Sequence, residues 1–150
     1  MQKDLEHILT SSFQEYIKSS RNNFIVINAN NSISKSSKSL DLIINNLKIN
    51  NFKDINLFIK KQSSTLNLDG VLIVKAETIP QRKNKILKKY PKFIRELIYL
   101  FDFILNRVFP KLMLTSRIYY FFKTNINHAL SKTEILGRLY YNGFVYIDEV

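Results

Sequence analysis

The chain of 150 residues contains no cysteine, no tryptophan, and only three glycines and three prolines. Without cysteine it forms no disulfide framework and no thiolate metal site, and it has no cysteine nucleophile. None of the glycines lies in the first 69 residues. The loop after the first predicted strand, residues 28–32, therefore lacks the glycines that let backbone amides approach a bound phosphate. The sequence predicts no nucleotide or S-adenosylmethionine site of the usual kind.

Long apolar runs are also missing. Residues 1–13 include acids and no apolar core of a secretory signal. The longest apolar run near the most basic part of the chain, 97–101, is followed by Asp102 and Arg107, well short of the roughly 20 residues that a membrane-spanning helix needs. We therefore expect a cytoplasmic protein that lies on the inner membrane without crossing it.

No pattern of catalytic or metal-ligating residues appears. His7 and His128 are isolated, and we interpret each as a surface or helix-end residue. Glu77 follows a predicted strand, where open α/β sheets bind ligands, but alone it is interpreted as a helix-entry residue. Asp148 and Glu149 are adjacent, so in a strand they point to opposite faces and form no acid/base pair. We predict no catalytic residue, no metal and no cofactor.

Positive charge is what the chain has in excess, with 23 basic and 12 acidic residues and a formal net charge of +11. The basic segment, residues 82–123, holds eleven basic and two acidic residues, and therefore +9 of that charge. It is also rich in phenylalanine and tyrosine. A basic, aromatic-rich helical segment is typical of a surface for an anionic and partly apolar partner. An anionic membrane fits best, and nucleic acid is the rival.

The apolar residues between 94 and 108 recur with the period of an α-helix. This stripe is either the core face of a helix packed on the sheet or part of a wider apolar surface. Further apolar residues lie off the stripe, on the side that a soluble helix usually keeps polar. We therefore predict a membrane- or anion-facing surface made of Arg82, Lys83, Lys85, Lys88, Lys89, Lys92, Arg95, Phe93, Leu100, Phe103, Arg107 and Lys111. Nucleic acid is less favoured, because the aromatic residues are spaced for burial in helices.

Predicted strands and helices alternate along the chain. The helices are 2–19, 52–66, 80–90, 91–109, 112–123 and 131–142, and the strands are 23–28, 40–45, 71–75 and 144–147, with a polar loop at 30–39 and a turn at Asp69-Gly70. Pro80 and Pro91 begin helices, Pro110 ends one, and Ser131 opens the last helix with a capping box. This order predicts a single α/β domain over 1–150, partial Rossmann-like, with a mainly parallel sheet, flanking helices and a basic amphipathic helical insertion at about 79–124.

Five stretches resemble, as a set, the soluble region that accompanies bacterial sugar transferases of exopolysaccharide and capsule synthesis. They are 40–59, 76–91 (AETIPQRKNKILKKYP), 100–112, 116–122 (SRIYYFF) and 130–150 (LSKTEILGRLYYNGFVYIDEV). Those enzymes are similar to the undecaprenyl-phosphate glycosyl-1-phosphate transferases. The resemblance implies a non-catalytic accessory domain that works with a membrane-bound transferase, whose catalytic domain this chain lacks. It leaves open whether the chain is a fragment, a split gene product or a stand-alone domain.

The order of elements also resembles the C-terminal half of a class I methyltransferase-like fold. The residues that carry this second resemblance are the strand at 40–45, the Leu68 to Val71 turn and Gly143-Phe144 before the last strand. It implies a divergent S-adenosylmethionine-dependent methyltransferase as the alternative function, although the missing glycine loop implies that cofactor binding is lost. A nucleic-acid-binding module is the second alternative.

Overall fold

The computed structural model describes residues 23–27, 40–123 and 126–149. The predicted helix at 2–19, the polar loop at 30–39 and the glycine-free loop at 28–32 lie outside these residues.

Three strands and five α-helices make up the described part of the chain. The strands are β1 (Phe24–Ile27), β2 (Leu40–Lys48) and β3 (Leu66–Lys75), and the helices are α1 (Ile55–Ser63), α2 (Ile79–Lys89), α3 (Arg95–Phe103), α4 (Met113–Phe122) and α5 (Lys132–Tyr141). All strand pairs are parallel, in the order β1-β2-β3. The predicted α/β class, a partial Rossmann-like parallel sheet flanked by helices, is confirmed.

β2 is the central strand, and its middle, residues 42–44, is apolar without alternation. Such runs are typical of parallel strands that are covered on both faces. Leu42 and Ile43 are fully buried, and Ile43 pairs with Ile25 of β1 on one side and with Leu72 of β3 on the other. The strand extends beyond its predicted end at Asn45 to Lys48, and a short 3-10 turn, Ile49–Asn51, leads from it towards α1.

The predicted turn at Asp69-Gly70 is wrong, because both residues lie inside β3. Leu40 pairs with Leu66 but Leu42 pairs with Val71, so β3 bulges between these two pairs. The helix predicted to reach Leu66 ends instead at Ser63, because Leu66 pairs with Leu40 of β2 and belongs to the sheet. Periodicity alone does not reveal such a bulge.

The helix predicted to end before Pro110 continues past it. α3 passes into a π-helical segment, Ile104–Val108, and then into a 3-10 turn, Phe109–Lys111, that includes Pro110. Phe109 keeps helical backbone angles although it precedes a proline. A proline at the first turn of a new helical segment loses no hydrogen bond, so it is tolerated there.

The predicted last strand at 144–147 is wrong, since these residues form no strand. Val145 and Ile147 are exposed, and only Phe144 packs on the core. The capping box that opens α5 is confirmed: Ser131 Oγ accepts from the Glu134 amide at 3.1 Å, and Glu134 Oε2 accepts from the Ser131 amide at 3.3 Å. Gly143 follows the helix at φ +87°, the left-handed value expected of it. Tyr140, in the last turn of α5, is exposed.

Two apolar clusters form the core. One joins α1, α5 and the segment before α5 and contains Ile49, Ile55, Ile59, Leu130 and Ile135. The other joins the three strands around Ile27, Leu40 and Ile43. α3 contributes no buried residue to either cluster, so the core belongs to the sheet and to the helices α1 and α5.

The bulge in β3 predicts opposite effects for two glycine substitutions. A Cβ at Gly70 would lie 2.9 Å from Leu66 Cδ2 and about 3 Å from two carbonyl oxygens, whereas a Cβ at Gly137, within α5, meets nothing within 4 Å. Gly70→Ala should therefore lower the free energy of unfolding in urea by about 1–3 kcal/mol. The control Gly137→Ala should raise it by about 0.5–1 kcal/mol, because alanine favours helix. Equal effects at the two positions would contradict the close packing at the bulge.

Candidate functional site

The buried amide of Asn50 joins the helical insertion to the sheet. Its Nδ2 donates to the backbone oxygens of Glu77 (2.8 Å) and His128 (2.7 Å), and its Oδ1 accepts from the Glu77 amide (2.7 Å). The Asn50 backbone oxygen also accepts from the His128 amide at 2.8 Å. One fully buried side chain thus ties together the residues that follow β2, the residues that follow β3 and the segment before α5.

Glu77 lies at the entrance to α2, as predicted, but it is also a buried charge. Its carboxylate is 3.3 Å from Lys48 Nζ and 4.0 Å from Arg82 Nη1, and it accepts a short hydrogen bond from Lys85. Burial opposes ionisation, but the hydrogen bonds from Lys85 and Lys48 outweigh it and lower the pKa of Glu77. Arg82 and Lys85 of the basic segment are therefore ion-pair partners of this buried carboxylate.

Arg82 does not lie on the predicted surface, and its assignment there is wrong. It is only 8% exposed, and its guanidinium binds both oxygens of Asp102, Nε at 2.5 Å and Nη2 at 2.7 Å. The hydrogen bond with Asp102 raises the pKa of Arg82 despite its burial. This bidentate pair fixes α2 against α3, so the residue holds the insertion together.

Two more predicted site residues bind Glu134 at the start of α5. Arg107 Nη1 lies 2.5 Å from Glu134 Oε2, and Lys111 Nζ lies 2.6 Å from Glu134 Oε1. Partial burial opposes ionisation, but the hydrogen bonds from Lys111 and Arg107 outweigh it and lower the pKa of Glu134 to about 2. The capping carboxylate of α5 is thus also the anchor for the end of the π-helical segment.

The remaining predicted cations lie outside this internal network. Lys83 and Lys89 lie over the rings of Tyr99 and Tyr90, at 5.2 and 5.3 Å from the ring centroids. Arg95 is 3.7 Å from its neighbour Glu96. Within the described residues, no ion pair involves the exposed side chains of Lys88, Lys92 or Arg117. Arg117 is not among the residues predicted for the surface.

The apolar stripe of α3 is only partly covered, since Leu105 is exposed while Ile94, Ile98, Ile104 and Val108 are half-buried. Of the predicted surface residues off the stripe, Phe93 is 85% exposed and Leu100 is exposed, while Phe103 is half-buried. The core alternative fails for Leu97 and Phe101, which are exposed as well, and α4 buries only Tyr119. The full set of exposed large apolar residues from 93 to 122 is Phe93, Leu97, Leu100, Phe101, Leu105, Leu112, Met113, Leu114, Ile118, Phe121 and Phe122. We call this set, with Lys88, Lys92 and Arg117, the docking surface.

The surface predicted from the sequence includes no residue of α4. A usable signal was present: the ten residues MLTSRIYYFF contain a single charge and seven large apolar or aromatic side chains. A helix with this much apolar surface is typically covered by another element or a partner. The described part of the protein buries only one of its side chains.

His128, interpreted from the sequence as a surface or helix-end residue, is buried in the segment before α5. Burial, and then the nearby guanidinium of Arg138, lower its pKa, so the imidazole is neutral at pH 7. Its Nε2 lies 3.4 Å from the hydroxyl of Tyr120. Among the described residues no group of three acidic, histidine or cysteine side chains is placed to hold a metal ion, and no described helix has the length and apolar character to cross a membrane.

No protein family, curated protein or solved structure matches this chain. The resemblance to the sugar-transferase regions and to methyltransferases therefore stays a prediction from the sequence.

The joint at Asn50 predicts a large loss of stability on truncation. Asn50→Ala leaves the Glu77 amide and two carbonyl oxygens buried without partners, so it should lower the free energy of unfolding by about 3–5 kcal/mol. Asn51 is exposed and next in the chain, and Asn51→Ala should change it by less than about 0.5 kcal/mol. Urea unfolding followed by circular dichroism measures both variants, and a loss below about 1 kcal/mol at Asn50 would contradict the joint.

Proposed function

We propose that this chain is a non-catalytic accessory domain that docks on an anionic membrane surface beside a sugar-phosphate transferase. The observation that carries the docking proposal is the docking surface itself, where eleven exposed large apolar side chains accompany three cations without acidic partners among the described residues. A soluble protein rarely exposes so many large apolar side chains along one segment without a partner.

The energies favour a bilayer as that partner. Fully burying one such side chain contributes about 1.5–3 kcal/mol, and each Lys or Arg near an anionic surface contributes about 1 kcal/mol. Lys92 precedes Phe93, and Arg117 lies one turn before Phe121 on α4. Cations therefore border the apolar residues, the arrangement that places ammonium and guanidinium groups at lipid headgroups and apolar side chains at the acyl boundary.

Nucleic acid fits this surface less well. Base stacking needs aromatic faces beside a basic groove, but many of the exposed apolar residues here are aliphatic, including Leu97, Met113 and Leu114. Aliphatic side chains do not stack on bases, and four of the basic residues that would neutralise phosphates bind internal carboxylates.

The partnership with a transferase rests on the sequence resemblance at 40–59, 76–91, 100–112, 116–122 and 130–150. A domain docked at the cytoplasmic face through α3 and α4 would leave its sheet free to contact a membrane-bound enzyme. The cytoplasmic location rests on the absence of cysteine, which suits a reducing compartment.

Vesicle co-sedimentation tests the docking proposal. The protein should pellet with phosphatidylcholine vesicles that contain phosphatidylserine, and more weakly with phosphatidylcholine alone or at high salt. The triple variant Lys88→Gln/Lys92→Gln/Arg117→Gln should lose up to about 100-fold in partitioning, since three charges contribute about 1 kcal/mol each.

The matched control removes charge from residues outside the docking surface. Lys60, Lys61 and Lys75 are exposed on α1 and β3, and Lys60→Gln/Lys61→Gln/Lys75→Gln removes the same net charge. Binding of this control should stay close to that of the unaltered protein. Equal losses in the two triple variants would mean that net charge alone attracts the protein, and no binding to anionic vesicles would rule out the docking surface.

A further inference from the structure

A second candidate site lies behind the docking surface, where the helical insertion meets the sheet layer. It is a cleft of about 350 Å³ whose walls come from the start of α1, the π-helical segment and the turn after it, α4, the segment before α5, and α5 itself. The 3-10 turn Ile49–Asn51, which follows β2, leads to Lys53 in the wall of this cleft. The cleft therefore lies beyond the carboxyl end of the central strand, where open α/β sheets bind their ligands.

Four cations line this cleft: Lys53, Arg107, Lys111 and Arg138. One carboxylate, Asp54, lies among them, and a second, Glu134, binds Arg107 and Lys111 from outside. Two positive charges therefore remain in excess among these six groups, and Lys53 and Arg138 are the two cations that do not bind Glu134. Neither has a carboxylate partner among the described residues.

Arg138 is held in place but is not saturated. Its Nη1 donates to Asn56 Oδ1 at 2.8 Å, while its Nε is buried without a hydrogen-bond partner. Lys53 lies over the ring of Tyr120, 5.0 Å from the ring centroid. Because a guanidinium carries five N–H donors, Arg138 keeps donors for a ligand beyond the one that Asn56 accepts.

The rest of the lining suits an organic group next to an anion. The Tyr120 hydroxyl and the neutral imidazole of His128 offer polar contacts, and Ile55, Pro110 and Leu130 supply apolar wall. Asp54 already accepts the Leu57 amide at 2.8 Å as the cap of α1. The N-terminus of α1 therefore does not bind the anion. The side-chain cations of the cleft attract it instead.

We propose that this cleft binds a phosphate monoester through Lys53 and Arg138, with the organic part of the ligand against the apolar wall. The excess charge is that of a phosphate dianion, and guanidinium groups bind phosphate oxygens by strong charge-assisted hydrogen bonds. The ester is either a soluble organic phosphate or a lipid headgroup with the same chemistry. The proposal does not rest on membrane docking, because the docking surface and the cleft use different cations.

Isothermal titration calorimetry of the full chain tests the site. Glycerol 3-phosphate should bind more tightly than inorganic phosphate, and glycerol should not bind. Lys53→Gln and Arg138→Gln should each weaken binding at least about tenfold, because each removes a charge-assisted contact. Lys61→Gln, at the far end of α1 from the cleft, should leave the affinity unchanged.

A spectroscopic readout guards against a variant that folds poorly. In the unaltered protein, the ring resonances of His128 should shift on addition of glycerol 3-phosphate, and its pKa should rise, since a dianion nearby favours the imidazolium form. If soluble phosphates fail to bind but phosphatidic acid vesicles bind with a loss in Lys53→Gln, the ligand is a lipid headgroup.

Other outcomes overturn the proposal. Equal binding of glycerol and glycerol 3-phosphate, or full affinity in both Lys53→Gln and Arg138→Gln, would remove the phosphate site. So would no binding of either the soluble phosphates or phosphatidic acid. The triple variant Lys88→Gln/Lys92→Gln/Arg117→Gln should bind glycerol 3-phosphate normally, so a failure of membrane docking and a failure of the cleft are distinguishable.

Discussion

The buried amide of Asn50 is the constraint on which the arrangement of this protein depends. Parallel strands end at the same edge of a sheet, so the residues after β2 and after β3 are neighbours whose backbone groups need partners. Asn50 supplies them with three side-chain hydrogen bonds and one from its backbone oxygen. Since Glu77 leads directly into α2, this joint also sets where the helical insertion leaves the sheet. The positions of the docking surface and of the cleft therefore depend on the hydrogen bonds of Asn50.

The positive charge of the insertion divides into an inner and an outer set. The inner set binds carboxylates: Lys85 binds Glu77, Arg82 binds Asp102, and Arg107 and Lys111 bind Glu134. These pairs connect α2 to α3, and the π-helical segment and the turn after it to α5. The outer set, Lys88, Lys92 and Arg117, binds no carboxylate among the described residues and lies near exposed apolar side chains. A segment that looks uniformly basic in sequence thus combines a structural framework with a surface.

Local signals predicted much of the fold. The apolar run of β2, Pro80 in the first turn of α2, the Ser131 capping box and the left-handed Gly143 are each decided by neighbouring residues. The errors concern contacts between distant residues. The β3 bulge depends on pairing with Leu40, the burial of Arg82 depends on Asp102, and 144–147 form no strand although their sequence favours one. The cleft was missed because Lys53 and Arg138 lie far apart in sequence.

The central claim is that the apolar side chains of α3 and α4 face a lipid bilayer, and the absence of tryptophan makes it directly measurable. A single tryptophan introduced by Phe121→Trp reports from a residue that is 82% exposed on α4, and Leu68→Trp reports from an exposed residue at the opposite end of β3 from the insertion. With anionic vesicles of brominated lipid, quenching of fluorescence in Phe121→Trp but not in Leu68→Trp is the predicted result. No quenching in either variant, or equal quenching in both, would contradict the account.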